Sequence, residues 1–331
     1  MSAPVSASVS APVSAPVSPT FGPAPTLRDI TLPHGITLAC REMGQFGPLG
    51  QPEPDPALHR PRVLLLHGFP EAAFIWDELM GLLAAGPARA ACLAPNLRGY
   101  PGSSRPTEVE AYRAKYITAD LVALIEGQGG AVDALVAHDW GGAVAWSLAA
   151  LRPDLVKRLV IINSPHPATF LRELRDNPAQ QAASAYMNFL CRPDAERLLS
   201  ERDHARLWPF LEGWADGMPW LTPALREAYR ACWAAGLTGP LNYYRASPLR
   251  PASGPGDALH RLQLPDALVN VTVPTTVVWG ERDRALLPAL LDGLSHWVPR
   301  LRVVRLPDAS HWVVHEQPAR VAQEIERSLA A

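Results

Sequence analysis

The sequence predicts an α/β fold, with a mostly parallel central sheet, helices on both of its faces and an inserted helical cap. Three observations carry this. Short apolar runs recur at 63–66, 90–94, 134–137, 159–162, 275–279 and 301–305, the pattern of parallel strands buried on both faces. Helical stretches, such as 119–126 and 142–151, separate most of them. Between Ile162 and Thr275 the alternation stops, and the sequence turns helical and aromatic, with Trp208, Trp214, Trp220 and Trp233.

In chain order, residues 1–26 repeat Ser, Ala, Pro and Val, which cannot bury enough surface to offset chain entropy. They read as a disordered extension and hold many of the 35 prolines. They lack the basic region and continuous apolar stretch of a secretory signal. Folding is expected to begin at Leu27, with a hairpin over 30–38 turning at His34-Gly35. Residues 44–61, rich in Pro and Gly, read as a loop. The strand–helix alternation then assigns 27–167 and 260–331 to the sheet domain and 168–259 to the cap.

Composition is that of an ordinary globular chain, 48% hydrophobic and 19% charged. A net charge of −2 and no long basic run argue against nucleic acid or an anionic membrane surface as partner. No apolar run approaches the ~18 residues of a membrane span. Cys40, Cys92, Cys191 and Cys232 are far apart and show no metal-ligand spacing, so reduced thiols and a cytoplasmic location are expected.

The chemistry begins at 135–143, Leu-Val-Ala-His-Asp-Trp-Gly-Gly-Ala. An apolar run ends in a small residue, then comes Asp139 flanked by His138 and Trp140, then two glycines and a helix. This is the strand-to-helix elbow of Gly-x-Ser-x-Gly enzymes with a carboxylate in place of serine. A carboxylate is ionised at neutral pH and needs no base to attack saturated carbon. Asp283 follows the 275–279 run, and His311 follows the last. Nucleophile, acid, histidine is the triad order of the α/β-hydrolase fold, and all three map to strand carboxyl ends. Asp308 is a rival acid, but three residues before the histidine it fits a turn better. The His67-Gly68-Phe69-Pro70-Glu71 segment after the first buried run would supply one oxyanion-hole donor, the Phe69 N–H, and Trp140 N–H the other.

Seven segments together, HGFPE at 67–71, LRGYPGSSRP at 97–106, HDWGG at 138–142, NSPHP at 163–167, GPLNYYR at 239–245, GERD at 280–283 and SHW at 310–312, closely resemble the epoxide hydrolases of the α/β-hydrolase fold. The resemblance spans nearly everything from Leu27 onward, and GPLNYYR is its most specific part. It implies two cap tyrosines whose hydroxyls bond the epoxide oxygen. They map to Tyr186 and Tyr244, with Tyr243 as the neighbouring candidate for the second. The chain departs from the family pattern in Ala137 before the elbow histidine, Asn96 before LRG and Ser310 before His311, none of which removes a chemical role.

The implied reaction forms a hydroxyalkyl ester on Asp139, with Tyr186 and Tyr244 meeting the charge on the leaving oxygen. Water activated by His311 and Asp283 then hydrolyses that ester. It calls for a small-molecule epoxide and water, and for no metal or organic cofactor, in a monomer or homodimer. The competing expectation is a haloalkane or haloacid dehalogenase, which shares the Asp nucleophile. It would need halide donors where this chain has Phe69, a side chain with no donor.

Overall fold

The computed structural model describes residues 24–47, 60–212 and 218–331. The expected N-terminal extension up to Pro23, most of the Pro/Gly loop and Trp214 lie outside the described residues. Eight strands form one sheet in the order β1-β2-β4-β3-β5-β6-β7-β8. They are β1 Thr26–Thr31, β2 Thr37–Met43, β3 Arg62–Leu66, β4 Ala91–Pro95, β5 Ala134–His138, β6 Leu159–Ile162, β7 Thr275–Gly280 and β8 Leu301–Leu306. β1 and β2 are the expected hairpin, pairing Thr31 with Thr37 across a turn in which Gly35 takes φ +86°. β2 runs antiparallel to β4, and every pair from there to β8 is parallel.

The all-apolar strands are buried on both faces because alternate side chains point to opposite sides. Leu64 and Leu66 face one cluster with Leu135, Ala137, Leu159, Ile161 and Val277. Val63 and Leu65 face the other with Val136, Val160, Ile162 and Val278. Each such fully buried side chain contributes about 1.5–3 kcal/mol. β8 differs from its neighbours: Arg302 and Arg305 interrupt its apolar pattern, and it sits at the sheet edge, half-buried.

The helices are α1 Asp77–Ala85, α2 Ala114–Gly127, α3 Asp139–Leu151, α4 Pro167–Asp176, α5 Pro178–Ala183, α6 Tyr186–Leu190, α7 Ala195–His204, α8 Trp208–Glu212, α9 Pro223–Ala234, α10 Thr238–Ala246, α11 Asp266–Val269, α12 Val313–Glu316 and α13 Pro318–Ala330. Among the described residues, all elements between β6 and β7 are helical. Several open on clear signals. His166 and Asn177 cap α4 and α5, and Thr222 caps α9 through the Leu225 N–H, each ahead of a proline in the first turn. α3 starts three residues earlier than its apolar pattern suggests, because the elbow itself is its first turn. No helix of the described residues is long and apolar enough to cross a membrane.

Candidate active site

The carboxyl ends of β3, β5, β6, β7 and β8 converge on one spot, and the expected site residues follow them there. Asp139 stands directly after β5 with φ +50°, a strained value for a non-glycine residue that is typical of functional turns. The turn is held from outside: Ser164 Oγ donates to the Asp139 carbonyl at 2.6 Å. Its tightness also dictates the neighbouring glycines. A Cβ on Gly141 would stand 2.4 Å from the Leu66 carbonyl oxygen, and one on Gly68 2.2 Å from Asp139 Oδ1. Any side chain at Gly68 would therefore displace the nucleophile candidate.

The Asp139 carboxylate is 13% exposed. Its Oδ1 accepts the Phe69 N–H at 2.7 Å, and the Trp140 N–H is a second backbone donor to the same carboxylate. Burial pushes this carboxyl above the usual range, against the pull of His311, His138 and the two N–H groups. Desolvation of this kind strips water from the carboxylate oxygens.

His311 lies between two acids. Its Nε2 is 3.8 Å from Asp139 Oδ2, and its Nδ1 is 2.7 Å from Asp283 Oδ2. Asp283 is fully buried and satisfied on both oxygens. Oδ1 accepts the Ala285 and Leu286 N–H groups at 2.8 and 2.9 Å, while Oδ2 also accepts Asn163 Nδ2 at 2.7 Å. Burial works to raise the Asp283 carboxyl, but the His311 charge and these donors hold it below the ordinary range. An ionised carboxylate only accepts, so the Nδ1 proton of His311 donates to it, leaving Nε2 toward Asp139. Burial lowers the His311 pKa, yet Asp283 and then Asp139 outweigh it and bring the imidazole to about 9. Asp308, the rival acid, is 76% exposed and paired with Arg282.

Across from this carboxylate stand the two tyrosines. Tyr186 opens α6 and Tyr244 lies in α10, with ring centroids 6.2 Å apart. Both line the same cavity as Asp139. Burial pushes both hydroxyls well above the ordinary tyrosine range, and the Asp139 charge adds to it. Both are therefore neutral donors at neutral pH. The Trp140 side chain hydrogen-bonds to Tyr244. Tyr243, the neighbouring candidate, donates its hydroxyl to the Arg98 carbonyl at 2.9 Å and contributes only its ring to the cavity wall. The cavity holds about 260 Å³, and among the described residues Asp139 is the only charged one in its lining. The described tryptophans of the expected cap do not line it: Trp208 and Trp233 pack together at 4.6 Å, and Trp220 stacks on His315 at 4.5 Å.

Some participants carried no assigned role in the sequence. Asn163, with φ +38°, ties Asp283 to β7 by accepting the Gly280 N–H at 2.8 Å. Its signal is a polar residue directly after the apolar run of β6. Glu71 is fully buried, with His138 Nδ1 at 3.2 Å, His315 Nε2 at 2.9 Å and the Tyr229 hydroxyl at 2.5 Å. Burial would raise its carboxyl, but the His138 and His315 hydrogen bonds hold it below the usual range. His138 Nε2 in turn meets the His311 carbonyl at 2.9 Å, so Glu71 braces the backbone of the histidine.

Residues 61–318 match the family described as alpha/beta hydrolase fold. An epoxide hydrolase of Caballeronia sordidicola is 30% identical over 81% of this chain and 87% of its own length. Epoxide hydrolase 3 of Xenopus tropicalis is 33% identical over 79% of this chain and 69% of its own. The chain belongs to the epoxide hydrolase family of the α/β-hydrolase fold. Among solved structures of this family, a point variant of the Bacillus megaterium epoxide hydrolase, bound to its product (R)-3-[1]naphthyloxy-propane-1,2-diol, superposes with a TM-score of 0.78. It is 29% identical and covers 92% of this chain and 100% of its own.

Proposed function

We propose that this chain hydrolyses a small-molecule epoxide to its vicinal diol through an ester on Asp139, with residues 168–259 acting as the cap over the site. One observation carries the reading: two neutral tyrosine hydroxyls stand with a desolvated carboxylate in one cavity that has no other charged lining among the described residues. An alkoxide is a poor leaving group and requires a proton donor, which this pairing supplies. The diol held by the Bacillus megaterium relative is the product type expected.

In ring opening, Asp139 Oδ2 attacks one epoxide carbon in line with its C–O bond, while Oδ1 rests on the Phe69 N–H. Tyr186 and Tyr244 donate to the departing oxygen, and one gives up its proton. The ester is neutral, so His311 loses one of the two anions that hold its pKa near 9. The proton that His311 now sheds is the one that the tyrosinate must regain. Neutral His311 then takes a proton from water as the hydroxide attacks the ester carbonyl, and the Phe69 and Trp140 N–H groups hold the resulting oxyanion. Collapse breaks the ester C–O bond, the departing diol oxygen takes the proton of the hydroxyl just added, and the Asp139 carboxylate is restored beside an imidazolium.

The scheme accounts for every proton without a metal or organic cofactor, and the reaction runs on water alone. The four cysteines form no disulfide, which supports a cytoplasmic protein. The direct experiment is incubation of the purified chain with styrene oxide and with a haloalkane. Diol without halide release is expected; halide release without diol would favour the dehalogenase.

A further inference from the structure

We propose that Gly239, Asn242 and Tyr243 are positioning residues for ring opening: they dock one face of α10 onto the segment from Arg98 to Thr107, and so aim the Tyr244 hydroxyl at the epoxide oxygen. The inference rests on the epoxide hydrolase reading above. It gives a role to LRGYPGSSRP at 97–106, a segment that the reaction itself does not use.

α10 has nine residues, and a helix that short is placed by its contacts rather than by its own stability. Gly239, Asn242 and Tyr243 are spaced i, i+3 and i+4, so they share one face of it. All three meet the same stretch of chain. Gly239 lies backbone to backbone on Gly99: a Cβ added to it would stand 2.4 Å from the Gly99 Cα and 2.5 Å from the Gly99 carbonyl oxygen. Gly99 takes φ +93°, a conformation open to glycine. Asn242 Nδ2 donates to the Thr107 carbonyl at 3.1 Å, and the Tyr243 hydroxyl to the Arg98 carbonyl at 2.9 Å. The Tyr243 ring meets Tyr112 at 5.5 Å and Tyr100 at 5.9 Å. The platform is itself fixed. Arg98 is buried, and its guanidinium donates to both oxygens of Asp120 on α2, at 2.7 and 2.5 Å, and to the Ala111 carbonyl at 2.9 Å.

Successive residues on a helix point about 100° apart. Pinning Tyr243 therefore sets the rotation of α10 about its axis, and with it the direction of Tyr244, one position on, in the cavity that holds Asp139. The approach of Gly239 to Gly99 sets how deep the helix sits. Both matter to a proton donor, because a reacting group misplaced by about 1 Å can cost on the order of 10²-fold in rate.

The test isolates ring opening. In a His311→Gln parent the ester should accumulate, so the rate at which styrene oxide adds its mass to the Asp139 peptide is the rate of ring opening. On that parent Tyr243→Phe, which keeps the ring and removes the hydroxyl, should slow adduct formation by roughly tenfold. Gly239→Ala, which forces α10 away from Gly99, should slow it by roughly a hundredfold. With Tyr244→Phe already present, either change should cost less than about twofold more, because the group they aim is gone. A loss of the same size with and without the Tyr244 hydroxyl, or no loss in folded Tyr243→Phe, would overturn the positioning role. Tyr243→Phe carries the test by itself should Gly239→Ala fail to fold. A folded His311→Gln parent that gains no epoxide mass at all would instead overturn the ester reading beneath it.

Discussion

At the carboxyl end of the sheet, Asp139, Asp283 and His311 hang from strand ends, and each is tied to backbone that the parallel sheet fixes. Asp283 alone accepts four hydrogen bonds, two of them from main-chain N–H groups. Across the cavity, Tyr186 and Tyr244 sit on helices of five and nine residues, located by ring-to-ring packing with Phe69, Phe210 and Trp140. The two sides use different physics. The sheet side stores charge, in two carboxylates around an imidazole. The tyrosine side is apolar, and in the proposed reaction it supplies protons from neutral hydroxyls. The ion pair is thus built on the rigid element, and the neutral donors are placed by aromatic packing.

The comparison can be broken from either side. Asp139→Ala should abolish diol formation, by at least roughly 10⁴-fold, measured as steady-state kcat on any accepted epoxide. The double variant Tyr186→Phe, Tyr244→Phe should slow ring opening by roughly 10²–10⁴-fold. Hydrolysis of a preformed ester should stay largely intact, and single-turnover kinetics would separate the two phases. If ester hydrolysis fell equally, the division of labour between sheet and cap would be wrong.

Charge coupling within the sheet side gives the next test. The His311 pKa of about 9 lies above its unfolded value, so the pair with Asp283 stabilises fully below about pH 6.5 and loses this contribution as pH rises through about 9. The depressed Asp283 carboxyl works at the other end, and its contribution is lost as pH falls through its folded pKa. In Asp283→Asn the His311 ring resonances should titrate below 9, and in Asp139→Asn by a smaller drop, since Asp283 is the stronger cause. An unchanged titration in Asp283→Asn would contradict the coupling. The smallest effect is expected for Asn163→Ala. It strands the Gly280 N–H and removes one donor to Asp283, costing about 1–3 kcal/mol in thermal or denaturant unfolding, with catalysis impaired less than in the tyrosine variants.

The same comparison explains what could be read from residues alone. Short continuous apolar runs separated by helical stretches expose a parallel sheet, and the strand ends then single out Asp139, Asp283 and His311 as candidates. The 301–305 run reads as a strand as well, but Arg302 and Arg305 mark it as an edge strand rather than one buried on both faces. Nothing in periodicity identifies Tyr186 or Tyr244, since a cap tyrosine in a catalytic position and one in a core position look alike on a short helix. Only the resemblance carried by GPLNYYR singled out Tyr244, and the structure separates it from Tyr243 by the latter's bond to the Arg98 carbonyl. Glu71 and Asn163 were present in quoted motifs but silent, because their partners, His138, His315, Tyr229 and Asp283, are distant in sequence and meet only after folding.

Both halves of the proposed reaction pass through the ester on Asp139. In His311→Gln the ester should form and persist, because no base remains to activate water. Mixed with styrene oxide and digested, this variant should yield an Asp139-containing peptide heavier by the mass of one epoxide. A folded variant that shows no such adduct while the wild type still produces diol would contradict covalent catalysis by Asp139.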